Sequence, residues 1–106
     1  MPSETKVVLT VISERNKGKK LTSTSNYILV GRRNDKADLN LTDDDGAVHG
    51  RQFEIRKRGD KYLINNLGHF NKTMVNNKKL DYGELKSGDI VKVGFGTEIQ
   101  FKIMSD

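Results

Sequence analysis

The chain has 106 residues, with 19 Lys and Arg against 14 Asp and Glu, for a formal net charge of +5. That length sets a single domain with one modest core, and the absence of cysteine excludes a disulfide scaffold, a thiolate nucleophile and Cys-ligated zinc. The longest apolar runs, Val7-Val8-Leu9 and Tyr27-Ile28-Leu29-Val30, are far too short to span a bilayer, and no secretory leader is visible. An intracellular domain, cytoplasmic or nuclear and without a membrane partner, is the expectation.

Residues 1–5 read as a flexible N-terminus and residues 6–104 as one domain. Lys6–Ile12 is rich in Val, Ile and Thr and reads as a strand. A polar turn, Ser13–Lys20, leads to Leu21–Thr24, which pairs back. Tyr27–Gly31 reads as a short buried strand and Asp38–Leu41 alternates. Asp43-Asp44-Asp45-Gly46 breaks the chain. Arg51–Lys57 alternates, with Phe53 and Ile55 on one face. Gly59-Asp60 suits a two-residue hairpin turn, because glycine accepts positive φ at the first central position, and Lys61–Asn65 returns. Thr73–Asn76, Lys78–Leu80, Asp89–Val93 and Thr97–Met104 supply four further strands. Asn76-Asn77 forms a tight turn between two of them, since Asn tolerates the left-handed region.

No window keeps the i, i+3, i+4, i+7 apolar pattern of a long helix. Many short strands separated by frequent turn signals imply an all-β sandwich or barrel. The inward residues are expected to be Val8, Ile28, Val30, Leu39, Phe53, Ile55, Leu63, Val75, Val91, Ile99 and Phe101.

The order of the landmarks carries more than any one of them. Gly31-Arg32 ends a strand, Asp38-Leu39-Asn40-Leu41 follows a variable loop, and Val48 precedes the strand Gln52-Phe53-Glu54-Ile55. Then come Tyr62-Leu63-Ile64, Asn66-Leu67-Gly68, Asn71, Thr73, Val75-Asn76, Leu85, Gly88-Asp89 and Val93-Gly94. This ordered set resembles the forkhead-associated (FHA) domain, from about Lys6 to Met104. The resemblance implies a β-sandwich of about eleven short, mostly antiparallel strands whose loops at one end bind phosphothreonine peptides.

A phosphate dianion calls for a charged fork, which favours Arg over Lys, with hydroxyl and backbone N–H donors around it. The resemblance gives the phosphate-binding role to Arg32. His49 stands where the family has a phosphate-binding Ser, and Gly50 after it offers only its backbone N–H. Arg51 follows. Gln52 replaces the motif His that braces the loops. Phe70 stands where a Ser or Thr hydroxyl is expected, Asn71 matches the peptide-binding Asn, and Lys72 replaces a Gly. Asn77 stands for another Gly. The resemblance therefore places phosphopeptide binding on Arg32, His49, Gly50, Arg51 and Asn71, with Arg33, Phe70 and Lys72 as accessory residues. Charge-assisted hydrogen bonds contribute about 1.5–3 kcal/mol each, so losing two hydroxyl donors weakens a phosphate site ~100-fold unless other donors compensate.

Other chemistries fit less well. Asp43-Asp44-Asp45-Gly46 lacks the ligand spacing of a calcium loop and its distal Glu, and two histidines without a third ligand make no zinc site. Gly94-Phe95-Gly96 lies between strands and opens no phosphate-binding helix. No nucleophile, base and orienting group assemble, so neither an enzyme nor a cofactor is expected. Aromatic residues are only 7% of the chain, which argues against nucleic acid as the target of the basic charge. The expected function is a non-enzymatic protein interaction module in signalling. It would recognise a phosphothreonine or acidic peptide atypically, through a divergent motif. The alternative is a degenerate FHA scaffold that binds an unphosphorylated protein or self-associates.

Overall fold

The computed structural model describes residues 5–14, 16–32, 35–41, 48, 50–68, 73–94 and 96–105. Eleven strands follow in chain order: β1 (Thr5–Val11), β2 (Lys20–Ser23), β3 (Tyr27–Arg32), β4 (Leu39–Leu41), β5 (Phe53–Arg58), β6 (Lys61–Asn66), β7 (Met74–Val75), β8 (Lys78–Lys79), β9 (Tyr82–Leu85), β10 (Ile90–Val93) and β11 (Thr97–Ser105). They form two sheets. One has the order β2-β1-β11-β10-β7-β8 and the other β4-β3-β5-β6-β9. Every strand pair but β3–β4 is antiparallel. This is the FHA-like sandwich that the resemblance implies. No helix long and apolar enough to cross a membrane is present among the described residues.

The two inner faces meet in one core around Phe53 and Phe101, both fully buried. Phe101 takes the edge of the Tyr62 ring, with centroids 5.6 Å apart at 64°. Burial of Ile28, Val30, Leu39, Phe53, Ile55, Val91, Ile99 and Phe101 matches the sequence expectation, and Val75 packs against the core partly buried. Val8 and Leu63 do not match: both are half-buried. In β1 the inward set is Val7, Leu9 and Val11, and in β6 it is Tyr62 and Ile64. Each strand offers apolar residues in both phases, and the phase with the larger apolar total wins, because a shift of one residue turns every side chain over.

The turns follow their chemistry. Arg58 pairs with Lys61 around Gly59-Asp60, with Gly59 at φ 63°. Val75 pairs with Lys78 around Asn76 (φ 51°) and Asn77 (φ 68°), the double left-handed turn that suits a two-residue hairpin. The Asn76 side chain also reaches the turn before β10. Its Oδ1 accepts from the Ile90 N–H at 3.0 Å, and its Nδ2 donates to Asp89 at 2.9 Å. β9 is a strand beyond those expected from alternation, and it closes the edge of the second sheet.

Candidate functional site

At one end of the second sheet, β3 runs out at Gly31-Arg32, and the segment 50–52 crosses beside it to start β5. A Cβ on Gly31 would overlap the carbonyl oxygen of Gly50, so only glycine allows these two backbones to press together. Arg32, half-exposed, donates from Nε to the carbonyl of the buried Val48 at 2.9 Å. One edge of the guanidinium is thereby fixed to the neighbouring loop, which pre-organises the fork.

Gln52 holds this end together. It is fully buried. Its N–H donates to the Val30 carbonyl at 2.9 Å, and its own carbonyl accepts from Leu67 at 2.8 Å and Gly68 at 3.1 Å. Its side-chain Nε2 donates to Thr73 Oγ1 at 3.4 Å, and Thr73 donates on to Asn66 Oδ1 at 2.8 Å. Asn66 closes the loop by donating to the Gly68 carbonyl at 3.1 Å. Thr73 is itself fully buried. The brace that the missing motif His would supply is therefore made by Gln52. It joins the end of β3, the start of β5 and the chain on both sides of the segment 69–72.

Arg51, next to Gly50 in sequence, is exposed and lines a groove with Tyr27. Its positive charge lies near enough to the Tyr27 hydroxyl to favour the ionised phenol. That hydroxyl donates to Glu54 Oε1 at 2.9 Å, and Glu54 Oε2 accepts from Arg56 Nε at 3.0 Å and Asn65 at 3.4 Å. The Arg56 guanidinium also lies over the Tyr27 ring, 4.9 Å from its centroid. Burial alone would raise the Glu54 carboxyl, but the bonds from Arg56, Tyr27 and Asn65 outweigh it and hold the group below the usual carboxylate range. Burial pushes the Tyr27 hydroxyl up, helped by Glu54 and opposed by Arg51. Between Arg51, Tyr27, Leu29, Asp35 and Lys36 lies a groove of about 590 Å³.

Arg32, Gly50 and Arg51 are thus neighbours at one end of the sandwich. His49, Asn71, Arg33, Phe70 and Lys72 lie outside the described residues. The Tyr27–Glu54–Arg56 network escaped the sequence reading. Its signal was there in the alternation of β5, which puts Glu54 and Arg56 on the face opposite Phe53 and Ile55. Among the described residues no cluster of His, Asp and Glu that would hold a metal ion is present.

Comparison with known proteins agrees with this architecture. The model of the FHA domain matches residues 28–94. The FHA domain of an Arabidopsis thaliana protein, solved in solution, is 25% identical with a TM-score of 0.84, over 100% of this chain and 89% of its own. A domain solved in a study of phosphothreonine-dependent FHA interactions is 28% identical with a TM-score of 0.78, over 92% of this chain and 95% of its own. The FhaA FHA domain, solved in complex with the intracellular domain of Rv3910, is 28% identical with a TM-score of 0.76, over 91% of this chain and 99% of its own. No curated protein matches the chain in sequence. With every landmark from Gly31 to Gly94 inside the matched residues and the sandwich topology in agreement, the chain belongs to the FHA domain family of phosphopeptide-binding interaction modules.

Proposed function

We propose that the chain binds a phosphothreonine peptide at the Arg32 end, through a pocket rewired rather than decayed. Arg32, anchored through Nε to the Val48 carbonyl, supplies the charged fork for the phosphate, and Gly50 lies beside it on the neighbouring segment. Asn71 holds the peptide backbone. His49 stands in for the Ser hydroxyl and donates when protonated. Arg51, lining the groove with Tyr27, meets the peptide beside the phosphothreonine rather than the phosphate itself. Arg33, Phe70 and Lys72 are the accessory residues of this reading. The observation that carries the reading is the Gln52 network: the substitution that removes the motif His leaves a fully bonded brace behind. A pocket under no demand has no use for a buried polar network, which costs stability wherever it is left incomplete.

The test is a calorimetric titration of a phosphothreonine peptide library against its unphosphorylated twin, at about pH 6 and about pH 7.5. Only the phosphorylated library should bind, more tightly at the lower pH, where His49 gains its proton. Arg32→Ala should weaken binding ~100-fold while the fold survives. Equal binding of both libraries, or none by a folded protein, would instead favour the degenerate scaffold with an unphosphorylated partner.

A further inference from the structure

The outer faces of the two sheets differ in charge. On the second sheet Arg56, Arg58 and Lys61 are balanced by Glu54, Asp60 and Glu84, and Arg56 is paired with Glu54. On the first sheet the inward set of β1 and β11 turns the alternate residues outward. Register then places Lys102 beside Val8, and Lys20 beside Thr10. Lys92 stands between Glu98 and Met74, and Met74 stands beside Lys79. Lys20, Lys79, Lys92 and Lys102 thus share one face with a single carboxylate, Glu98, among the described residues. The side chains of these four lysines make no hydrogen bond or ion pair among the described residues. Lys6 lies on the same face opposite Met104 but already has a partner, so the surplus rests on the other four. Met104 is 54% exposed, and Val8, Met74 and Ile90 are half-buried between the lysines.

We propose that this face is a peripheral contact for the surface of an anionic lipid bilayer, separate from the phosphate site, which belongs to the other sheet. The charge surplus calls for an anionic occupant, and its pattern selects a bilayer. Lys20 and Lys79 lie on the two edge strands, five strand spacings apart, or roughly 24 Å at ~4.8 Å each. Ammonium groups spread over a plane and left hydrated suit lipid headgroups, where each Lys adds attraction without a fixed partner. Protein interfaces concentrate aromatic residues and Arg and are poor in Lys; this face has Lys and neither of the others among its described outward residues. The same lack removes base stacking and bidentate base readout. Met104 and the aliphatic residues between the lysines can enter the interfacial layer of a bilayer, whereas a phosphodiester backbone offers them nothing. Such a contact needs no membrane-spanning segment.

Vesicle co-sedimentation at about 0.1 M salt tests the proposal, using phosphatidylcholine vesicles with and without about one third phosphatidylserine. The chain should sediment only with the phosphatidylserine vesicles, and less as salt is raised. The double variant Lys20→Gln, Lys102→Gln should lose about tenfold or more in binding. The double variant Arg58→Gln, Lys61→Gln has the same net charge but is altered on the other sheet, and should bind within about twofold of the parent. All four side chains are exposed, so both variants should keep the fold. The chain contains no Trp, so Met104→Trp supplies a single emission reporter. Its emission should shift to the blue on phosphatidylserine vesicles, while that of Tyr82→Trp on the other sheet should not. The proposal is overturned if the chain binds neither vesicle or both equally, or if the Met104→Trp emission stays in place. It is equally overturned if the two double variants lose the same amount, which would make net charge alone responsible. Duplex DNA or polyglutamate bound more tightly than the vesicles, and weakened by Lys20→Gln, Lys102→Gln, would assign the face to nucleic acid or to an acidic protein; either result overturns a membrane contact.

Discussion

Gln52 and Glu54 stand two residues apart, both buried and both polar, yet they organise different kinds of structure. Gln52 works through neutral hydrogen bonds that reach from Val30 to Thr73 and gather segments distant in sequence. Glu54 works through a charge, and its partners Tyr27, Arg56 and Asn65 all lie on one sheet face. The difference teaches how the binding end is kept in register. Its geometry rests on groups that do not titrate in the physiological range, and on one close backbone contact between Gly31 and Gly50. The sheet face, by contrast, is tied together by bonds to a carboxylate that its partners hold ionised.

Three substitutions sharpen that contrast. Gly31→Val drives a branched side chain into the Gly50 carbonyl and should cost about 3 kcal/mol, with loss of phosphopeptide binding, as read from denaturant unfolding and titration. Gln52→Ala removes the side-chain link to Thr73 and opens a small void. It should cost about 2 kcal/mol, by an amount that does not change between about pH 5 and 8. Glu54→Gln should cost about 1.5 kcal/mol at neutral pH, and here the cost should depend on pH. Glu54 is held below its ordinary range, so its contribution is complete above the unfolded value of ~4.3 and is lost as the pH falls through the lower folded value. Unfolding curves of parent and variant should therefore converge in acid. A constant gap down to about pH 3 would mean that the Glu54 charge contributes nothing to folding.

Much of the fold was legible because alternation and turn chemistry are local. Gly59-Asp60 and Asn76-Asn77 announced their hairpins by the conformations those residues accept, and Phe53 and Ile55 announced the inner face of β5. β9 was not legible. In Tyr82–Leu85 only Leu85 is buried, Tyr82 faces outward, and Gly83 packs closely under the Leu80 side chain, so no alternating pattern marks a strand. The phase of β1 and β6 was ambiguous for the opposite reason, since Val8 and Leu63 are as apolar as their inward neighbours. At the site, Arg32 was legible from its place after Gly31 at a strand end. The bracing by Gln52 was not, because its partner Thr73 is 21 residues away and only the folded chain brings them together. The same holds for the groove that Arg51 shares with Tyr27 and Leu29, residues more than twenty positions away in sequence.

The most direct test of the central claim follows two resonances, the Gly50 amide and the Arg32 Nε–H, as a phosphothreonine peptide is added. Both should move with the phosphorylated peptide and stay still with its unphosphorylated twin, which would place the phosphate between the end of β3 and the start of β5. If both stay still while the peptide binds elsewhere, or if the two peptides move them equally, the account of a rewired phosphate pocket at Arg32 is wrong.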